Sequence, residues 1–156
     1  MRPIIAAAGL LITFTAHGFA AESQPADTQP IQPQHRLVIQ VDHNDRHTMD
    51  FALTNATDVI EYYRALDQTV AVEIMACGPG LHMLRIDTSP VKERIKRIRE
   101  SASPSRIQFS ACNNTKQSME KKEGRPLDML PGMMIVPLGV VRLLELQEKG
   151  WSYVRP

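Results

Sequence analysis

RLVIQVDHNDRHTMDFALTNATDVIEYYRALDQTVAVEIMA, residues 36–76, decides the fold. Its opening run, Arg36 to Val41, is short and rich in β-branched side chains, as in a strand covered on both faces. Asp42-His43-Asn44-Asp45 ends that run as a loop and helix-start cluster. From Thr48 to Leu66 apolar residues recur at Phe51, Val59, Tyr62, Tyr63 and Leu66, with Ala52 and Ala56 between them, which predicts a long helix. A second strand, Val70 to Ala76, begins only a few residues later. Strand, helix and strand in immediate succession imply a right-handed crossover between parallel strands.

The alternation continues toward the C-terminus. Gly78-Pro79-Gly80 predicts a turn, because proline fixes one backbone dihedral and the glycines allow positive ones. Val91, Ile95 and Ile98 fall at helical spacing among Lys92, Glu93, Arg94, Lys96, Arg97 and Arg99; acids interleave with bases around one apolar face, so the charges read as solvated surface rather than an anion patch. Arg106 to Ala111 predicts a third strand, and Asn113-Asn114-Thr115 offers caps for a helix running to Gly124. Met133 to Val136 predicts a short strand. Pro137 opens the next helix, which Val140, Val141, Leu143, Leu144 and Gln147 carry to Gly150, and Trp151 to Val154 closes the chain as a strand. The order predicts an α/β fold, a three-layer α/β/α sandwich around a mostly parallel five-stranded sheet.

Toward the N-terminus the composition changes. In residues 1–20 Arg2 is the only charged side chain, an apolar run spans Ile4 to Phe14, and Gly18-Phe19-Ala20 supplies a small-residue ending. This is the pattern of a cleaved signal peptide, and the run is shorter than the roughly 18 apolar residues a membrane span requires. Periplasmic export is the expectation. Residues 21–34, rich in Pro, Gln, Ser and Thr, read as a disordered linker, and residues 35–156 as one domain. Of the 18 Lys and Arg, Arg2 leaves with the signal, so the mature chain balances its 17 acids and carries no net charge, which argues against a nucleic-acid or anionic-membrane partner.

In parallel α/β folds ligands bind outside the carboxyl ends of the strands. Cys77, Cys112 and the Asp42 to His47 cluster all fall there. Cys112 follows a strand and precedes a helix, where unpaired N–H groups and the helix dipole lower a thiol pKa and favour a nucleophilic thiolate. The competing role is a buried structural cysteine. A Cys77–Cys112 disulfide needs Cα atoms within about 7 Å. Strands flanking a shared central strand set them near 10 Å apart at spacings of about 4.8 Å, so separate thiols are the favoured arrangement. Cys77-Gly78-Pro79-Gly80 lacks the second cysteine of a Cys-x-x-Cys motif. His43 and His47, four apart beside Asp42 and Asp45, are a weak metal pattern, better read as an exposed loop and helix cap. Met129, Met133 and Met134 read as packing rather than a copper site. No Gly-x-Gly-x-x-Gly, P-loop, Gly-x-Ser-x-Gly or His-Glu-x-x-His pattern occurs, so no nucleotide cofactor or common hydrolase machinery is expected.

Four stretches then combine: MACGPGLHML at Met75 to Leu84, FSACNNT at Phe109 to Thr115, LPGMMIVPLGV at Leu130 to Val140, and QEKGWSYVRP at Gln147 to Pro156. Together they resemble the DsrE/DsrF-like family of small sulfur-metabolism proteins, in its exported single-domain branch, over Arg36 to Pro156. The resemblance implies a flavodoxin-like topology, trimeric or hexameric homo-oligomers and, as in the cytoplasmic sulfur-relay members, a cysteine that carries persulfide sulfur. Cys112 matches that position, after the third strand. Asn113, Asn114, Thr115, Cys77, Gly78 and His43 form the candidate ligand-binding rim around it, with no metal and no cofactor expected. The functional expectation is a periplasmic sulfur carrier with an unidentified donor and acceptor, the alternative being a non-catalytic oligomer that binds a small ligand or metal through His43, His47 and Cys77.

Overall fold

The computed structural model describes residues 32–156. The expected signal sequence and all but the last residues of the expected linker lie outside the described residues. The elements run β1 (His35–Val41), α1 (Arg46–Ala65), β2 (Val70–Ala76), a 3-10 helix (Gly78–Leu84), α2 (Lys92–Ser101), β3 (Arg106–Cys112), α3 (Asn113–Glu123), β4 (Met134–Val136), α4 (Gly139–Glu148) and β5 (Ser152–Val154). All strand pairs are parallel, and the sheet order is β4-β3-β2-β1-β5. The α/β fold with a five-stranded parallel sheet agrees with the sequence reading.

Local chemistry sets the boundaries. The Asp45 carboxylate accepts the Thr48 N–H at 2.7 Å and caps α1. Gly124 ends α3 with φ +67°, a left-handed value that glycine adopts without strain. The Gly78-Pro79-Gly80 segment is not a free turn but the start of the 3-10 helix. Leu81, Met83 and Leu84 are fully buried and draw the segment onto the sheet. A β-carbon at Gly80 would stand 2.2 Å from the Val41 carbonyl oxygen, so only glycine lets the segment cross the end of β1.

Steps from β1 through β4 all move one way across the sheet, and right-handed crossovers then put their connections on one face. There the main core forms: Met49, Leu53 and Ile60 of α1, Leu81 and Leu84, and Ile95 and Ile98 of α2 pack on Leu37, Ile39, Val72, Ile74 and Phe109. The step from β4 back past β1 to β5 runs the other way, and α4 covers the second face, where Leu143 and Leu146 pack with Val38, Met75, Cys112 and Val136. This order differs from the 2-1-3-4-5 of flavodoxin, because the direction reverses after β4 rather than after β2.

Two buried charges are each held by partners. On the first face Arg85, at the end of the 3-10 helix, forks onto Asp87 (2.7 and 2.9 Å) and onto Glu123 of α3 (2.6 and 3.0 Å). On the second, Glu73 of β2 takes two bonds from Arg142 of α4, at 2.9 and 2.7 Å, and one from the Ser110 hydroxyl at 2.7 Å. Arg85 thereby fixes α3, and Arg142 fixes α4, the two helices whose first residues meet at the sheet's carboxyl edge.

Candidate functional site

β3 and β4 are neighbours, yet the helices that follow them leave to opposite faces. Ligands bind at such a point of an α/β sheet, and Cys112 is the last residue of β3 beside it. α3 begins at the next residue, and the N-terminus of α4 meets the Cys112 sulfur. The Gly139 N–H donates to Cys112 Sγ at 3.2 Å, whereas the Asn114 N–H of α3 donates to the Pro137 carbonyl at 3.2 Å. Burial favours the neutral thiol, but the polar groups of Thr115, Gly139 and Asn114 around the sulfur outweigh it and hold the Cys112 pKa below the ordinary thiol value. The Thr115 hydroxyl also accepts the Gly78 N–H at 3.1 Å, tying α3 to the end of β2.

Cys77 stands beside it. Ala76 and Ala111 are partners in the β2–β3 register, and the next residues, Cys77 just past β2 and Cys112 at the end of β3, both continue in extended backbone side by side. A β-carbon at Gly139 would lie 3.2 Å from Cys77 Cβ and 3.3 Å from Cys112 Cβ, so both cysteines pack against the same bare backbone. This corrects the expectation of an intervening strand: β2 and β3 pair directly, and the cysteines are neighbours. Both are free thiols. Burial pushes the Cys77 pKa up, and the Asp42 carboxylate and the Cys112 sulfur push it further, against a weak bond from the Gln40 amide at 3.7 Å and the charge of Arg155. The two thiols are thus biased in opposite directions.

Exposure also differs from expectation. Cys112, expected on an open rim, is only 5% exposed because the first turns of α3 and α4 close over it, whereas Cys77 is half-buried. Of the other rim residues, Asn113 opens α3, the Asn114 N–H donates to the Pro137 carbonyl, the Thr115 hydroxyl accepts from Gly78, and Gly78 (φ +51°) follows Cys77. His43 is exposed and bonds Asp42 Oδ1 at 2.8 Å, and Arg155 pairs with the same carboxylate. His47 lies on α1 with its ring parallel to Phe51. Among the described residues no three His, Cys, Asp or Glu side chains come together as a metal-holding group, so His43, His47 and Cys77 do not form a metal site.

Gly139, Gln40 and Arg155 enter the site without having been singled out in the sequence. The signal for Gly139 was a glycine at the first helical turn after Pro137, a position that needs no positive φ and so calls for another reason, here the close approach to two cysteines.

Fold and site together define an α/β domain with two adjacent thiols at the carboxyl edge of its sheet. No family model matches the chain, and no curated protein matches it. Among solved structures it is similar to that of MTH1491, a protein of unknown function from Methanobacterium thermoautotrophicum, with a TM-score of 0.66 and 25% identity over 78% of this chain and 99% of that one.

Proposed function

We propose that this protein is an exported, sulfur-handling relative of the DsrE/DsrF-like proteins, in which Cys112 accepts sulfane sulfur as a persulfide. The observation that carries the reading is the Gly139 N–H bond to Cys112 Sγ, which brings the start of α4 onto the residue from which α3 begins. A helix N-terminal N–H aimed at the sulfur stabilises a thiolate. The thiolate attacks the outer sulfur of a persulfide donor, R–S–SH; a Cys112 S–S bond forms, the donor's S–S bond breaks, and the donor leaves as a thiolate. Because Cys112 lies just beneath the rim, the donor is a small sulfane-bearing molecule rather than a cysteine on a broad protein surface. The N-terminal pattern of residues 1–20 supports a periplasmic setting.

Assembly as a homo-oligomer, a trimer or hexamer, belongs to the same proposal. The outer side of α4 supports it, with Val140 73% and Leu144 55% exposed. So do the two short edge strands, β4 and β5, whose outer backbone groups are open to pairing.

The test is intact-mass analysis of reduced protein after exposure to inorganic polysulfide. Wild type reacts at its cysteines, giving adducts in steps of about 32 Da or the products of their discharge, and Cys112→Ser does neither. A Cys112→Ser chain that reacts like wild type returns Cys112 to a packing role.

A further inference from the structure

Resting on the sulfur-acceptor reading, we infer that Cys77 is the resolving thiol of a dithiol pair: it attacks Cys112 Sγ once Cys112 carries sulfane sulfur, closing a Cys77–Cys112 disulfide and expelling hydrosulfide. The site is then a place where sulfane sulfur is reduced and released, not one where it is only held.

Three observations carry this. The β2–β3 register sets Cys77 and Cys112 side by side in extended backbone. Neighbouring strands lie about 4.8 Å apart, inside the roughly 4.4–6.8 Å range of Cα separations that a disulfide spans. Gly139 contributes no side chain where the two β-carbons meet the start of α4. Lastly, the surroundings differ as the two roles require. Cys112 is the stabilised sulfur that takes up the sulfane atom and later serves as the better leaving group when the disulfide is reopened. Cys77, beside Asp42 and less buried, keeps its proton until the persulfide has formed.

The step balances. Cys77–SH and Cys112–S–S⁻ give Cys77–S–S–Cys112 and HS⁻: the Cys77–Cys112 bond forms, the bond from Cys112 Sγ to the sulfane sulfur breaks, and the Cys77 proton leaves with the hydrosulfide. Two thiol sulfurs are oxidised, and the sulfane sulfur is reduced to sulfide. An external dithiol reductant, attacking from the more exposed Cys77 side, restores the pair by thiol–disulfide exchange. The class of reaction that must accompany this site is therefore a dithiol reductase supplying two electrons per sulfur released.

The experiment uses the reduced full-length mature chain, without oxygen, and one equivalent of glutathione persulfide. Wild type is expected to release about one equivalent of sulfide and lose about 2 Da, while Cys77→Ser keeps a gain of about 32 Da at least about tenfold longer and releases none. A wild type that holds the 32 Da gain as long as Cys77→Ser overturns the resolving role and leaves the acceptor reading standing. If Cys77→Ser takes up no sulfur and wild type forms neither sulfide nor disulfide, the acceptor reading has failed and the inference goes with it. Should Cys77→Ser not fold, Cys77→Ala replaces it, and the wild-type yield of sulfide and disulfide decides by itself.

Discussion

The Gly139 N–H donates to Cys112 Sγ across 3.2 Å, joining the first residue of α4 to the last residue of β3. Burial favours the neutral thiol, but polar groups of Thr115, Gly139 and Asn114 around the sulfur outweigh it and lower the Cys112 pKa from the ordinary thiol value. Thr115→Val, which removes one of these groups and preserves shape, is expected to raise the pH at which Cys112 becomes reactive to iodoacetamide, read in a Cys77→Ser background. The sign on stability follows. A folded-state value below the unfolded one stabilises the fold in full above about pH 8.5, and that contribution is lost as pH falls through the folded-state value. Urea unfolding should show the Cys77→Ser chain gaining on the Cys77→Ser, Cys112→Ser chain as pH rises from about 6 to about 9. A pH-independent difference would mean that Cys112 is neutral throughout.

Gly139→Val is expected to cost about 1–3 kcal/mol of stability through overpacking. Its β-carbon would press on Cys77 Cβ and Met75 Cε at 3.2 Å and on Cys112 Cβ at 3.3 Å. An unchanged urea midpoint would show that α4 can shift away freely, and that the two cysteines are not confined by it.

Arg142→Ala is expected to destabilise the chain by about 3 kcal/mol, the low end of the range for breaking a buried pair, since Arg142 keeps some solvent contact. It leaves Glu73, buried in the middle of β2, with the Ser110 hydroxyl as its remaining partner. The double replacement Glu73→Leu, Arg142→Leu should recover most of that loss. Equal unfolding free energies for the single and double variants would show that the pair is not coupled.

Much of the fold was legible because its signals are local. The apolar run of β2, the 3.6-residue spacing in α1 and the caps at Asp45 and Gly124 each act within a few residues. Strand order is different: it depends on how far each crossover carries the chain, which no spacing between two segments records. The reading therefore placed both cysteines on the carboxyl edge but separated them by a strand that lies elsewhere. The burial of Cys112 was hidden for a related reason, since the α4 start that covers it comes from residues 27 positions along the chain. Glu73 was the one visible clue to the Arg142 link, a lone acid in an otherwise apolar strand, but nothing in the sequence pairs it with a partner 69 residues away.

Assembly is expected to depend on the outer side of α4. Val140→Asp with Leu144→Asp places two charges on exposed apolar positions without touching the buried Leu143 and Leu146. Light scattering at micromolar concentration should report a homo-oligomer for wild type and a monomer for the double variant. A monomeric wild type contradicts the assembly proposal, and an oligomer that survives both charges moves the contact to the β4 or β5 edge.

The central claim is that Cys112, the more buried of the two thiols, is the one that receives sulfur. The most direct measurement maps the first sulfur by peptide mass spectrometry, after a brief anaerobic exposure to one equivalent of glutathione persulfide and an acidic alkylating quench. The Cys77→Ser chain should carry the persulfide on Cys112, and the Cys112→Ser chain should carry none on Cys77 in the same interval. A persulfide that forms first on Cys77, or at equal rates on both cysteines, would contradict the account, because the polar groups around Cys112 would then have no bearing on where sulfur arrives.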